Sequence, residues 1–211
     1  MKTMKTLRCM LLAVVVVGVN LCACADEATD QVRATTDKIL ALMADPALNY
    51  EAHISERRQL IRKELHQRVD WAMVARSSLG HHWAKRSRAE QTEFVSLFSR
   101  LLEETFIDKF ETHQGELAKV ECLGEKIIDD YASVKAQVTT KDQIVHPVEY
   151  RLHKSGKDWR IYDVLIEGVS LVKNYRDQFD EILAKSSYEK LVADLRAKIP
   201  QAVAVAASIP P

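Results

Sequence analysis

Residues 159–179, Trp-Arg-Ile-Tyr-Asp-Val-Leu-Ile-Glu-Gly-Val-Ser-Leu-Val-Lys-Asn-Tyr-Arg-Asp-Gln-Phe, pass from a strand pattern to a helix pattern without losing apolar density. From Trp159 to Ile166 the run is apolar at either parity. Strict alternation sets Ile161 and Leu165 on one face and Tyr162, Val164 and Ile166 on the other. Such a strand is covered on both faces. Beyond Gly168, residues Val169, Val172, Tyr175, Arg176 and Phe179 recur at helical spacing, so a helix over 169–185 is expected to fold back directly from the strand end. A second helix is expected over 187–199, with Leu191, Val192 and Leu195 inward, followed by a disordered Ala/Val/Pro tail over 200–211.

The same two periodicities divide the rest of the chain. Helical spacing governs 28–44 (Val32, Ile39, Leu40, Met43), with Asp45-Pro46 as its stop, and 55–66 (Leu60, Ile61, Leu65), whose dense charges are expected to face solvent. Asp70 reads as the N-cap of a short helix ending near Gly80, with Val69 and Val74 as a hydrophobic staple. Ser87 to Glu90 forms a capping box that opens the strongest helix, where Phe94, Leu97, Phe98, Leu101, Leu102, Phe106 and Phe110 make one apolar stripe. Runs over 117–128, 131–140, 144–154 and 158–167, separated by turn residues, read as four sequential antiparallel strands. Helices grouped before and after an antiparallel sheet define an α+β domain over 26–199.

At the N-terminus, Lys2, Lys5 and Arg8 precede an apolar run from Met10 to Leu21, and Ala23-Cys24-Ala25 fits a small-x-small cleavage site. This is read as an export signal over residues 1–25. Leu21-Cys22-Ala23-Cys24 also resembles a bacterial lipobox, in which Cys24 would be acylated and anchor the protein. Without residues 1–25 the formal charge moves from zero to −3, with 27 basic against 30 acidic groups. No field suited to nucleic acid results. Cys122 would then be the only thiol, read as a small buried strand residue rather than a reactive one.

No catalytic motif stands out. His81 and His82 are adjacent, so on a helix their side chains would diverge by about 100° and not share an ion; no metal site and no cofactor are expected. Asp163 and Glu167 lie about 13 Å apart along a strand, too far for one acid/base task. The bland reading of Asp163 is a buried carboxylate satisfied by backbone or a neighbouring Arg.

Trp159-Arg160-Ile161-Tyr162-Asp163-Val164 running into Ile166-Glu167-Gly168-Val169-Ser170-Leu171-Val172, then Asn174-Tyr175-Arg176 and Gln178-Phe179, resembles the MlaC family. These are periplasmic lipid-shuttle proteins of the maintenance-of-lipid-asymmetry (Mla) pathway, also described as toluene-tolerance auxiliary proteins of ABC transporters. Ala75-Arg76, Leu79-Gly80, Trp83 and the helix start from Ser87 to Gln91 support the resemblance, which covers nearly the whole mature chain. It implies an NTF2-like (cystatin-like) curved sheet wrapped by helices around a deep apolar pocket for phospholipid acyl chains, with the head group toward solvent. It also implies a monomer that exchanges lipid, without any enzymatic step, between an outer-membrane lipoprotein complex and an inner-membrane ABC transporter with its substrate-binding subunit. A tether at Cys24 would conflict with free shuttling.

Side chains able to converge between sheet and helices in such a fold are Leu97, Leu101, Phe106 and Phe110 from the long helix, Val148, Tyr150 and Leu152 from the third strand, and Val164, Ile166, Val169 and Val172. Arg76, Lys173 and Arg176 are candidates for anionic head groups or partners, although exposed basic residues usually serve neither. Two other readings stand beside the carrier: an isomerase-like enzyme using Tyr162 and Asp163, by analogy of fold alone, and a periplasmic interaction module without a ligand.

Overall fold

The computed structural model describes residues 27–113 and 117–207. The export signal, the lipobox alternative and residues 208–211 lie outside them. The element order is α1 (Glu27–Ala44), α2 (Ile54–Arg68), α3 (Trp71–Leu79), a 3-10 turn (Gly80–Lys85), α4 (Arg88–His113), β1 (Leu117–Ile128), β2 (Tyr131–Thr140), β3 (Val145–Ser155), β4 (Asp158–Ile166), β5 (Val169–Ser170), α5 (Leu171–Lys185) and α6 (Tyr188–Ala207). The sheet is an antiparallel meander in the order β1-β2-β3-β4-β5. The class is α+β, as expected.

Local chemistry accounts for the helix starts. Ser87 N donates to Glu90 Oε2 at 2.7 Å and Glu90 N to Ser87 Oγ at 3.3 Å, which completes the capping box of α4. Asp70 accepts from Met73 N at 2.8 Å and caps α3. The cap of α1 comes from the sheet instead: Thr29 N donates to Glu125 Oε2 at 2.6 Å. Glu125 faces the helices because of a bulge between Cys122 and Gly124, after which Glu125 pairs with Val134.

A second bulge sits in β4. Ile161 pairs with Leu152, Asp163 with Arg151 and Val164 with Tyr150, so Tyr162 is the extra residue. Directly paired residues share a face, and β3 carries no extra residue here. Ile161, Val164 and Ile166 therefore lie together on the helix-covered face, while Asp163 and Leu165 lie on the other. This corrects the strict alternation, which grouped Ile161 with Leu165. One inserted residue reverses every later side chain.

Three further differences have physical causes. The helix expected from Val169 begins at Leu171, because Glu167 (φ 53) and Gly168 (φ 80) make a tight turn that pairs Val169 with Ile166 in a fifth strand. The polar face of α2 is not all solvent: Arg57 and Arg58 are buried. Arg58 donates to Glu104 (2.7 Å), Asp108 (2.6 Å) and Glu111 (2.5 Å), Arg57 to Glu111 (2.8 Å), and Arg62 to Glu104 (2.5 Å). Buried charges persist only with such partners, so the charge run of α2 is the joint to α4. Finally, α6 continues through Pro200 to Ala207, where a disordered tail was expected. The proline removes one bond, to the carbonyl of Arg196 on the exposed side of the helix, where water can replace it.

Two apolar clusters result. The larger joins Ala28 and Val32 of α1, Val74 and Leu79 of α3, Phe94, Phe98, Leu101 and Leu102 of α4, Ala132, Val134, Leu152, Trp159 and Ile161 of the sheet, and residues of α5 and α6. The smaller joins Ile39 and Met43 of α1, Ile61 and Leu65 of α2 and Ile107 of α4, with Phe106 and Phe110 packed against it. The apolar stripe of α4, continuous in sequence, thus serves two clusters. Among the described residues, no helix is long and apolar enough to cross a membrane.

Candidate functional site

The helix-covered face of the sheet changes character along its strands. The row Ala132, Leu152 and Ile161 is buried. The next, Val134, Tyr150 and Val164, is buried at Val134 and half-buried at the other two. The third, Cys122, Ala136, Val148 and Ile166, runs from half-buried through buried Ala136 to 53% exposed at Ile166. Beyond it Val120 and Val138 are paired and half-buried, and Val169, opposite Ile166, is 62% exposed. Val120, Val138, Val148, Ile166 and Val169 belong to neither apolar cluster. The sheet therefore has a sealed end and an open end on one face, both mainly apolar, with His146 beside Val138 in the outermost row.

Tyr150 marks the transition. Its ring is half-buried, while its hydroxyl is withdrawn from water beside Thr36 of α1. Burial pushes the phenol up to about 12. A tyrosine placed this way packs its ring against the larger cluster at the boundary of the open end. Burial also raises the pKa of the nearby Cys122 thiol, as its reading as a small apolar strand residue requires.

Of the eleven residues picked out from the sequence, Val148, Tyr150, Val164 and Ile166 share this face toward its open end, and Val169, paired with Ile166 at the sheet edge, also lines a cavity on the other side of β4. Leu152 shares the helix-covered face at the sealed end. Leu97 and Leu101 pack into the larger cluster, Phe106 and Phe110 touch ring to ring against the smaller one (centroids 4.5 Å apart), and Val172 is buried at the start of α5. Val120 and Val138 were missed, although the period-two run Ala132, Val134, Ala136, Val138 carried the signal.

On the opposite side of β4 lies an open cavity of about 610 Å³, lined by Arg151, Tyr162, Asp163, Ser170, Lys173 and Arg176 and also by the apolar Leu165, Val169 and Val172, two of them picked out from the sequence. Asp163 is committed there: Oδ1 accepts from Val164 N (2.9 Å) and Val172 N (3.0 Å), Oδ2 from Ser170 Oγ (2.7 Å), and Arg151 stands 3.6 Å away. It fixes the bulge and the start of α5 together. Glu167 is exposed in the turn, 2.8 Å from His146, so the two acids serve separate places. Arg176 donates from Nε to the Ser77 carbonyl at 2.7 Å and joins α5 to α3; Lys173 pairs with Asp177 at 2.6 Å on the surface, and Arg76 is exposed.

The divergence expected of His81 and His82 does not occur. They lie in the 3-10 turn after Gly80 (φ 55), with ring centroids 3.9 Å apart, and both approach Asp180. Burial, then His81, pulls the pKa of His82 below its ordinary value.

A family model described as MlaC protein matches residues 33–197. The chain belongs to the MlaC family. Among MlaC-type relatives, the toluene tolerance protein ttg2D of Pseudomonas putida is 24% identical over 160 residues, 74% of this chain and 73% of that one. The intermembrane phospholipid transport system binding protein MlaC of Haemophilus influenzae is 20% identical over 150 residues, 69% and 70% of the two chains. A solved phospholipid-binding protein from Ralstonia solanacearum, in complex with a phospholipid, superposes with a TM-score of 0.72 at 23% identity, covering 83% of this chain and 98% of that one. That likeness extends the family's fold to this chain.

Proposed function

We propose that this protein is a periplasmic phospholipid carrier that lays acyl chains along the open end of its sheet. The observation that carries the reading is the apolar surface of Val120, Val138, Val148 and Ile166, which neither core cluster absorbs. Apolar surface left over by a fold, beside a rim reachable from water, is what an acyl chain needs and a globular core does not. Family membership and the phospholipid in the names of two relatives support the ligand class.

The energetics fit a carrier. Removing two chains of about sixteen carbons from water is worth roughly 25 kcal/mol at about 0.8 kcal/mol per methylene. A bilayer offers the same environment, so transfer between membrane and protein is near neutral. Direction must then come from partners. The proposed partners are an outer-membrane lipoprotein complex and the substrate-binding subunit of an inner-membrane ABC transporter, served by a monomer. No covalent step is part of this reading. The isomerase-like alternative needs a free carboxylate at Asp163, whose oxygens are occupied by backbone and Ser170.

Solvent extraction of the purified protein followed by mass spectrometry tests the proposal. About one phospholipid per chain is expected. Protein purified under gentle conditions with no phospholipid, and unable to acquire any from vesicles, contradicts it.

A further inference from the structure

We propose that His81, His82 and Asp180 form a binding site for a divalent transition metal of the zinc type, independent of the lipid surface. Their ligand atoms all lie within 4.8 Å of one another. His82 Nε2 is 3.1 Å and His81 Nδ1 3.8 Å from Asp180 Oδ1. Ligands at about 2.0–2.2 Å around a tetrahedral ion stand about 3.4 Å apart, a value these two distances bracket. A small rotation of the exposed His81 ring closes the difference.

A plain ion pair explains the cluster less well. Asp180 Oδ1 is itself buried and is faced by His82 Nε2 at 3.1 Å, in at most a bent hydrogen bond, and by His81 Nδ1 at 3.8 Å. An acceptor withdrawn from water and faced by two ring nitrogens is suited to a shared cation. Two imidazoles and one carboxylate favour zinc, nickel or copper over calcium or magnesium, which take oxygen ligands. Water would complete the shell.

The surroundings hold the three donors in register. Gly80, at φ 55, turns the chain out of α3 so that two consecutive histidines meet α5; a Cβ there would stand 3.3 Å from Arg176 Cδ. Arg176 is bonded to the Ser77 carbonyl, and Asp180 follows it by one helical turn on the same side of α5. The anchor that joins α3 to α5 thus also delivers Asp180 to the histidines. A bound ion would be a second brace across that joint.

The test is calorimetric titration of chelator-treated protein with zinc, repeated with cobalt to read its visible absorption. Wild-type protein is expected to take up one zinc ion at this site and to give cobalt bands of low coordination number. H82A and D180N should each lose that equivalent or bind at least about ten-fold more weakly, and H53A, altered at an exposed histidine elsewhere, should behave as wild type. Each ligand variant is checked for native circular dichroism, and H81A replaces either one that is not folded. Absence of zinc uptake by the wild type, or uptake unchanged in H82A, D180N and H81A, overturns the proposal.

Discussion

The two ends of the sheet's covered face are built from the same strands and the same kinds of side chain, yet they have different surroundings. At the sealed end Ala132, Leu152 and Ile161 meet Phe94, Phe98 and the helices of the larger cluster. At the open end Val120, Val138, Val148 and Ile166 meet no cluster. Apolar character in a strand therefore does not distinguish core from ligand surface; what lies opposite decides. The split of α4 makes the difference physical, because its first half belongs to one cluster and its second half to the other.

Truncation at the sealed end should be the most damaging change. Leu152→Ala leaves a cavity in a fully buried row and is expected to cost about 2–5 kcal/mol in denaturant unfolding. A loss under about 1 kcal/mol would remove the distinction between the ends.

The joint between α2 and α4 should respond to pH. Burial first pushes the Glu103 carboxyl up to about 7, despite Arg62 nearby and His66 at 2.9 Å. A carboxyl whose folded-state pKa is raised favours the folded state when protonated. Its penalty is absent below the ordinary value of about 4.5, grows as pH rises, and is complete above about 7. Glu103→Gln removes that penalty, so the variant should match wild type near pH 4.5 and exceed it near pH 8 by at most about 3 kcal/mol, at about 1.4 kcal/mol per unit. Thermal unfolding against pH measures the gap, and a gap that widens toward acid would reverse the assignment.

Asp163→Ala removes the acceptor of two backbone N–H groups at the bulge that turns Val164 and Ile166 toward the open end. A cost of about 1–3 kcal/mol is expected, together with reduced lipid content because the register of the last strands loosens. Unchanged stability would mean that the bulge is held by other contacts.

Val148→Asp should have the smallest effect on stability, below about 1 kcal/mol, since its site is half-buried and outside both clusters. Its effect on cargo should be large, with copurified phospholipid falling at least about ten-fold. Retention of stoichiometric lipid by the folded variant would move the acyl chains elsewhere.

Much of this was legible in the sequence because it rests on local chemistry. The capping box at Ser87, the N-cap at Asp70 and the strands set off by turn residues each have a chemical cause within a few residues. The faces of β4 were not legible: Ile161, Tyr162 and Val164 are all apolar or aromatic, so hydrophobicity carries no mark of which one is extra. The same limit hid the bulge at Cys122 and the inward Glu125. Arg57 and Arg58 looked like solvent charges because their partners, Glu104, Asp108 and Glu111, lie on a helix about fifty residues away. The convergence of His81 and His82 needed Gly80 and the position of α5. Of the candidate site, the strand residues came out together, whereas the role of each aromatic on α4 depended on which cluster it met.

The most direct measurement is photo-crosslinking with a phospholipid that carries a photoreactive group in its acyl chain, followed by peptide mapping. Adducts on peptides holding Val120, Val138, Val148 and Ile166 are predicted. Adducts confined to the cavity on the other side of β4, around Tyr162, Ser170 and Lys173, would contradict the assignment of the open end as the acyl-chain surface.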